Sequence, residues 1–153
     1  MLHGIDPRVT PRLMDVLMRM GHGDELAVVD ANFPAHALAA RTTATSPVEL
    51  PGLDAPQAIA LILQLMPLDA FSETCFLRME MDDGPDASGP VHEQALAAAL
   101  PHIPQGSQAG SIARQDFYSR ARRAFAIVRV SEERPYGCFL LRKGVILKDS
   151  RKA

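Results

Sequence analysis

The stretch Leu26-Ala27-Val28-Val29 constrains this chain more than any other, because four apolar residues stand together with no polar residue among them. The run is too short for a helix and does not alternate, so a strand formed here must be covered on both faces. The segment before it is equally legible. Thr10 suits an N-cap, Pro11 the first helical position, and Leu13, Val16, Leu17 and Met20 recur at i, i+3, i+4 and i+7. Gly21 falls where a left-handed glycine commonly ends a helix. A capped helix running into a doubly covered strand predicts an α/β domain.

The remaining pattern extends that expectation. Residues 54–66 form a helical period with Pro56 near its start and Pro67 as a stop; apolar residues lie nearly all round it, which predicts a largely buried helix. Residues 75–81 alternate, with Leu77 and Met79 on one face and Arg78 and Glu80 on the other, and predict a half-buried strand. Residues 82–90 (DDGPDASGP) read as a mobile surface loop built from turn residues. Residues 91–100 read as a helix closed by Pro101, residues 101–110 as a second polar loop, and residues 115–124 as a short basic helix carrying Arg120, Arg122 and Arg123. Residues 125–130 and 138–141 read as strands joined by a turn over 131–137. A chain of 153 residues suits one domain, here 1–153, with a mixed sheet flanked by helices.

Composition excludes several classes of function. Sixteen Lys and Arg against 18 Asp and Glu leave a net charge of −2, and Trp is absent, so neither a basic footprint nor stacking platforms for nucleic acid are present. The longest apolar stretch, residues 58–66, falls far short of the roughly 20 residues that span a bilayer. The N-terminus has neither a basic n-region nor an apolar h-region. Cys75 and Cys138 stand outside metal-type spacings and read as buried free thiols. These features predict a cytoplasmic protein without membrane or nucleic-acid partners.

Three loops carry residues able to do chemistry. In Gly21-His22-Gly23-Asp24-Glu25, flanking glycines open the backbone around an imidazole suited to proton transfer; the alternative is a helix-end turn with an incidental histidine. Asp30 follows the buried strand, where ligands of open α/β sheets collect, and its carboxylate can accept polyol hydroxyls or merely cap a turn. His36 can orient Asp30 or His22, or fill a polar gap. Arg114 and Tyr136-Gly137 supply a guanidinium fork, a phenol and a stacking face. His22, Asp24, Asp30 and His36 fit no metal-binding spacing, and no nucleotide-binding or nucleophile-elbow motif is present.

Taken in order, Met20-Gly21-His22-Gly23-Asp24-Glu25, Asp30-Ala31-Asn32-Phe33-Pro34-Ala35-His36, Phe117-Tyr118 through Ala124-Phe125-Ala126-Ile127-Val128, Tyr136-Gly137 and Leu140-Leu141-Arg142-Lys143-Gly144-Val145 resemble the family of small sugar mutarotases that contains L-fucose mutarotase and D-ribose pyranase. The likeness covers nearly the whole chain. It implies a cofactor-free, metal-free isomerase that interconverts anomers of a free monosaccharide. By position it implies His22 as proton donor, and Asp30, Arg114, Tyr136, Gly137 and Cys138 as residues that hold the sugar, with His36 in support. It further implies a homo-oligomer, commonly a decameric ring with clefts between neighbouring subunits. Arg114 and Tyr136-Gly137 are similar to the fucose branch. Asn32 departs from the family's histidine, and Cys138 from the asparagine that ordinarily follows Tyr-Gly. The base is Tyr136, His36 or a water. A ribose-type pyranase and a non-catalytic sugar-binding or transport-accessory protein are the alternatives.

Overall fold

The four-residue apolar run lies at the centre of the sheet. In the computed structural model, which describes residues 1–148, it forms most of strand β1 (Glu25–Val29). Leu26 and Val28 enter one hydrophobic cluster, Ala27 and Val29 a second, and all four are fully buried. The other elements are α1 (Pro11–Arg19), α2 (Ala35–Ala39), β2 (Val48–Leu50), α3 (Ala55–Leu63), β3 (Thr74–Met79), α4 (Pro90–Ala99), β4 (Gln108–Ile112), α5 (Arg114–Arg123), β5 (Ala126–Val130) and β6 (Phe139–Arg142). Their strands form one six-stranded sheet in the order β2-β5-β1-β6-β3-β4.

The sheet is mixed through a single strand. β1 pairs parallel with β5, β5 with β2 and β3 with β4, while β6 runs antiparallel between β1 and β3. Helices α1, α3 and α4 cover one face with Leu13, Val16, Ile59, Ile62, Val91 and Ala95. Helices α2 and α5 cover the other with Leu38, Ala39, Phe117 and Ala121. The parallel strands all end at the same edge, and there Asp30 after β1, Met81-Asp82 after β3, Arg114 after β4 and the turn leading into β6 come together. No helix among the described residues is long and apolar enough to cross a membrane.

Helix α1 starts as its sequence predicts, with the Thr10 side chain accepting from Leu13 N at 3.1 Å. Its end differs: Met20 is already extended, and the left-handed glycine is Gly23 (φ 82°), not Gly21. A lysine from the far end of the chain replaces the glycine cap, for Lys143 Nζ donates to Leu17 O at 2.8 Å and Met20 O at 2.6 Å. Strand β3 is more buried than its alternation predicts. Cys75, Phe76, Leu77 and Met79 are all buried because helices cover both faces, and Thr74 and Arg78 are half-buried. Three short elements escape the sequence pattern. Strands β2 and β4 are edge strands, the first of three residues and the second half-exposed and built from Gln108-Ala109-Gly110-Ser111-Ile112, so neither shows a full period. Helix α2 has five residues. The expected 101–110 loop therefore ends inside β4, with a 3₁₀ turn at Leu100–His102 before it.

Lys143→Met keeps the apolar stem and removes both donors to the α1 carbonyls. Hydrogen bonds from charged groups contribute about 1.5–3 kcal/mol. The variant is expected to lose about that much stability in urea unfolding, and an unchanged midpoint would show that water serves those carbonyls equally well.

Candidate active site

At the carboxyl edge of the parallel strands Asp30, Asn32, Phe33, Met79, Arg114, Tyr118, Pro135, Tyr136 and Cys138 enclose a cleft of ≈ 240 Å³. Asp30 is 6% exposed and sits in a tight turn, its Oδ1 accepting from Asn32 N at 3.1 Å and Phe33 N at 3.0 Å. The Cys138 thiol faces Oδ2 at 3.5 Å. Burial raises the Asp30 pKa; the hydrogen bonds from Cys138, Asn32, Phe33 and the Gly137 backbone pull the other way without cancelling it. Each carboxylate oxygen carries two acceptor sites. Oδ1 already accepts two backbone N–H groups, whereas the thiol at 3.5 Å is a weak donor that a sugar hydroxyl can supplant at Oδ2.

Arg114 is the first residue of α5, half-exposed, with Nη2 at 3.8 Å from Asp82 Oδ1. Asp82 also takes the Tyr136 hydroxyl hydrogen bond and thereby raises the phenol's pKa, burial adding to the shift. Phe33 and Tyr118 form the apolar wall, their rings tilted at 31° with centroids 4.9 Å apart. Cys138 is buried in the cluster shared with Leu140 and spends its proton on Asp30. Burial, and then the nearby Asp30 charge, raise its own pKa well above the ordinary value, which leaves a neutral thiol in the cleft wall.

His22 lies at the other end of β1. Five strand residues separate it from Asp30, about 17 Å of chain at the usual rise per residue. Its Nε2–H donates to Asp69 Oδ1 at 2.9 Å, while Phe71 meets the ring edge-on at 5.6 Å. Asp69 is 2% exposed and also accepts from Phe71 N at 3.1 Å and Arg142 Nε at 3.2 Å. Burial alone would raise its pKa, but hydrogen bonds from His22, Phe71 N and the Ser72 hydroxyl, with the His22 charge, hold it at about 2. A carboxylate can only accept, so Nε2 carries hydrogen and Nδ1 is the nitrogen left for another molecule. This arrangement is a histidine oriented by a fixed anion, with its side chain 46% exposed.

Within one chain the candidate residues therefore divide. Asp30, Arg114, Tyr136 and Cys138 share the cleft; His22 does not face it. His36 meets neither Asp30 nor His22. It lies exposed on α2 and bonds Glu49 of β2 at 2.8 Å, because the chain enters a helix directly after Pro34 and turns the imidazole outward. Gly137 stands behind the cleft wall. A Cβ there would come within 2.6 Å of Glu132 Cγ, so glycine is needed for close approach, and its N–H serves Asp30. Asp69, Asp82 and Tyr118 had no sequence signal of their own. The first two sit in irregular segments and the third in a helix whose cleft-facing side only packing reveals. Among the described residues, no three His, Cys, Asp or Glu side chains gather as a metal site; Asp24 caps Gly21 N at 2.7 Å.

The chain thus pairs a buried carboxylate cleft at the strand ends of a mixed, helix-covered sheet with an oriented histidine at the opposite edge. Residues 3–146 match the RbsD / FucU transport protein family, and the chain belongs to that family. It is 34% identical to the L-fucose mutarotase of Histophilus somni over 152 residues, covering 95% of this chain and 97% of that one. It is 35% identical to the human fucose mutarotase over 150 residues, covering 95% and 94%. The solved fucose mutarotase of Streptococcus pneumoniae in complex with L-fucose superposes with a TM-score of 0.79 at 29% identity, covering 95% of this chain and all of that one, 100%.

Asp69 lies below the ordinary carboxyl value of 3.8, so its contribution to stability is present above that pH and is lost as the pH falls toward about 2. Asp69→Asn is expected to flatten the fall in melting midpoint over that acid window relative to the parent chain. Superimposable pH profiles would mean that His22 and Arg142 do not stabilise the ionised form.

Proposed function

We propose that this protein is a monosaccharide mutarotase that interconverts the α and β anomers of L-fucose or a closely related free sugar. The observation that carries the reading is the His22–Asp69 pair, in a chain about one-third identical to curated fucose mutarotases over nearly its full length. Anomer exchange needs the ring oxygen to gain a proton while the anomeric hydroxyl loses one. After the carbonyl rotates, closure reverses both transfers. An imidazolium held at Nε2 by Asp69 donates from Nδ1 to the ring oxygen and recovers the proton on closure. A positioned acid of this kind supplies about 10²–10⁴-fold, and immobilising the sugar adds to that.

The cleft supplies the immobilisation. Asp30 accepts one hydroxyl at Oδ2, Arg114 forks onto neighbouring oxygens, and the Tyr136 phenol, already bonded to Asp82, meets the ring edge. Tyr136 takes the anomeric proton as it passes its own to Asp82, or a bound water takes it. A single pyranose cannot span β1, so the working site pairs His22 of one copy with the cleft of the next, in a homo-oligomer of the ring type. Two buried free thiols, Cys75 and Cys138, suit the reducing cytoplasm, where free monosaccharide is handled.

The test is saturation-transfer NMR between the anomer signals of L-fucose. His22→Ala is expected to lose most of the exchange and to keep its melting midpoint within a few degrees, since the ring is about half exposed and outside both core clusters. Asp30→Asn is expected to weaken sugar binding by about one to two orders of magnitude, as befits a hydrogen bond to a charged group. At a sugar concentration well below the half-saturation of Asp30→Asn, co-expressing the two variants should raise exchange above that of either alone, because intact His22 then meets intact clefts in mixed assemblies. Exchange by His22→Ala at the parent rate refutes the mechanism, and mixtures no better than the separate variants refute the shared site.

A further inference from the structure

Tyr136 carries a backbone strain that its neighbours have to maintain. Its φ is 60°, a left-handed conformation that a tyrosine rarely adopts, and it lies at the rim of the cleft. The peptide that follows it is gripped from both sides. The Tyr136 carbonyl accepts from His92 Nε2 at 3.0 Å, and the N–H of Gly137, in the same rigid plane, is donated to Asp30. Turning that plane would break both bonds at once and swing the phenol.

His92 is placed to hold one side of that plane from outside the cleft. It comes from α4, on the opposite face of the sheet from the cleft's apolar wall, and is 3% exposed. Its Nδ1 accepts from Gly89 N at 3.3 Å at the start of α4, and its ring meets Phe139 edge-on at 6.1 Å. Because Gly89 N–H can only donate, Nδ1 is the acceptor and the ring hydrogen sits on Nε2, aimed at Tyr136. Burial, aided on the same side by the nearby Arg78 charge, lowers the His92 pKa, which keeps the ring in this neutral form. His92 does not line the cleft.

We propose that His92 is a positioning residue for sugar binding: its Nε2–H locks the Tyr136–Gly137 peptide, and through that plane sets both the Tyr136 phenol and the Asp30 carboxylate. The inference rests on the mutarotase reading for its kinetic arm only. His92→Asn keeps an acceptor for Gly89 N–H but is too short to reach Tyr136. His92→Gln extends an amide N–H to about the place of Nε2.

The chain has no Trp and only two tyrosines, Tyr118 and Tyr136, so fluorotyrosine labelling yields two ¹⁹F resonances, which Tyr136→Phe assigns. In His92→Asn the Tyr136 resonance should shift or broaden while that of Tyr118 stays, and half-saturation for L-fucose should rise about tenfold. His92→Gln should return both readouts toward the parent. Comparable melting midpoints for Asn and Gln, with different half-saturation, separate positioning from stability. An unmoved Tyr136 resonance, or equal half-saturation in the two variants, overturns the proposal. Absence of exchange in the parent chain would instead overturn the mutarotase reading, and the ¹⁹F comparison would still decide the role of His92.

Discussion

The antiparallel pairing of β6 between β1 and β3 is the constraint on which the rest of this structure depends. Its register sets Phe139 opposite Val28, Leu140 opposite Ala27 and Leu141 opposite Leu26 on one side, and Phe139 to Leu141 against Arg78, Leu77 and Phe76 on the other. A slip of one residue would exchange the two faces of a strand buried on both. Because β6 runs against its neighbours, its start lies at their carboxyl edge and its end at their amino edge. The first delivers Tyr136, Gly137 and Cys138 to the cleft. The second delivers Arg142 to Asp69 and Lys143 to the end of α1. One strand thus ties together both ends of the molecule.

The two buried aspartates that mark those ends are tuned in opposite directions. Asp69 is encircled by donors and held at about 2, whereas Asp30 is raised because desolvation outweighs the donors that reach it. A group of the first kind is a permanent anion, fit to orient an imidazole and support its charge. One of the second kind gains most from a further hydrogen bond, which a bound hydroxyl supplies. The difference follows from the kind of donor: Asp69 faces the His22 imidazole, whose charge favours the anion, whereas Asp30 has only neutral backbone N–H groups and a thiol to set against its desolvation.

Much of the scaffold is legible in the sequence. The apolar run at Leu26–Val29, the Thr10-Pro11 start of α1, and the Asp54 and Pro56 start of α3 each carry a local physical signal, and each forms where that signal points. Strands β2 and β4 were not legible, because an edge strand with one partner needs neither length nor an apolar face. His22, Asp30, Arg114 and Tyr136 stood out by residue type and by loop position. His36 stood out equally and turned outward to Glu49, since spacing in the sequence does not reveal the direction of a helix that begins between the two aspects of a turn.

The sequence by itself determined the class of fold, the Thr10 cap of α1, the covered central strand and the residue types suited to hydroxyl binding and proton transfer. These rest on interactions within a few residues, where hydrophobic period, proline and capping groups act directly. Only the tertiary structure decided that His22 is paired with Asp69 rather than with His36, that Asp82 reaches Tyr136 and Arg114, and that Cys138 bonds a carboxylate. Each of these contacts joins segments brought together by sheet order, and sheet order is set by which buried faces fit against which helices. That fit depends on the whole core at once, so no single stretch of the chain encodes it.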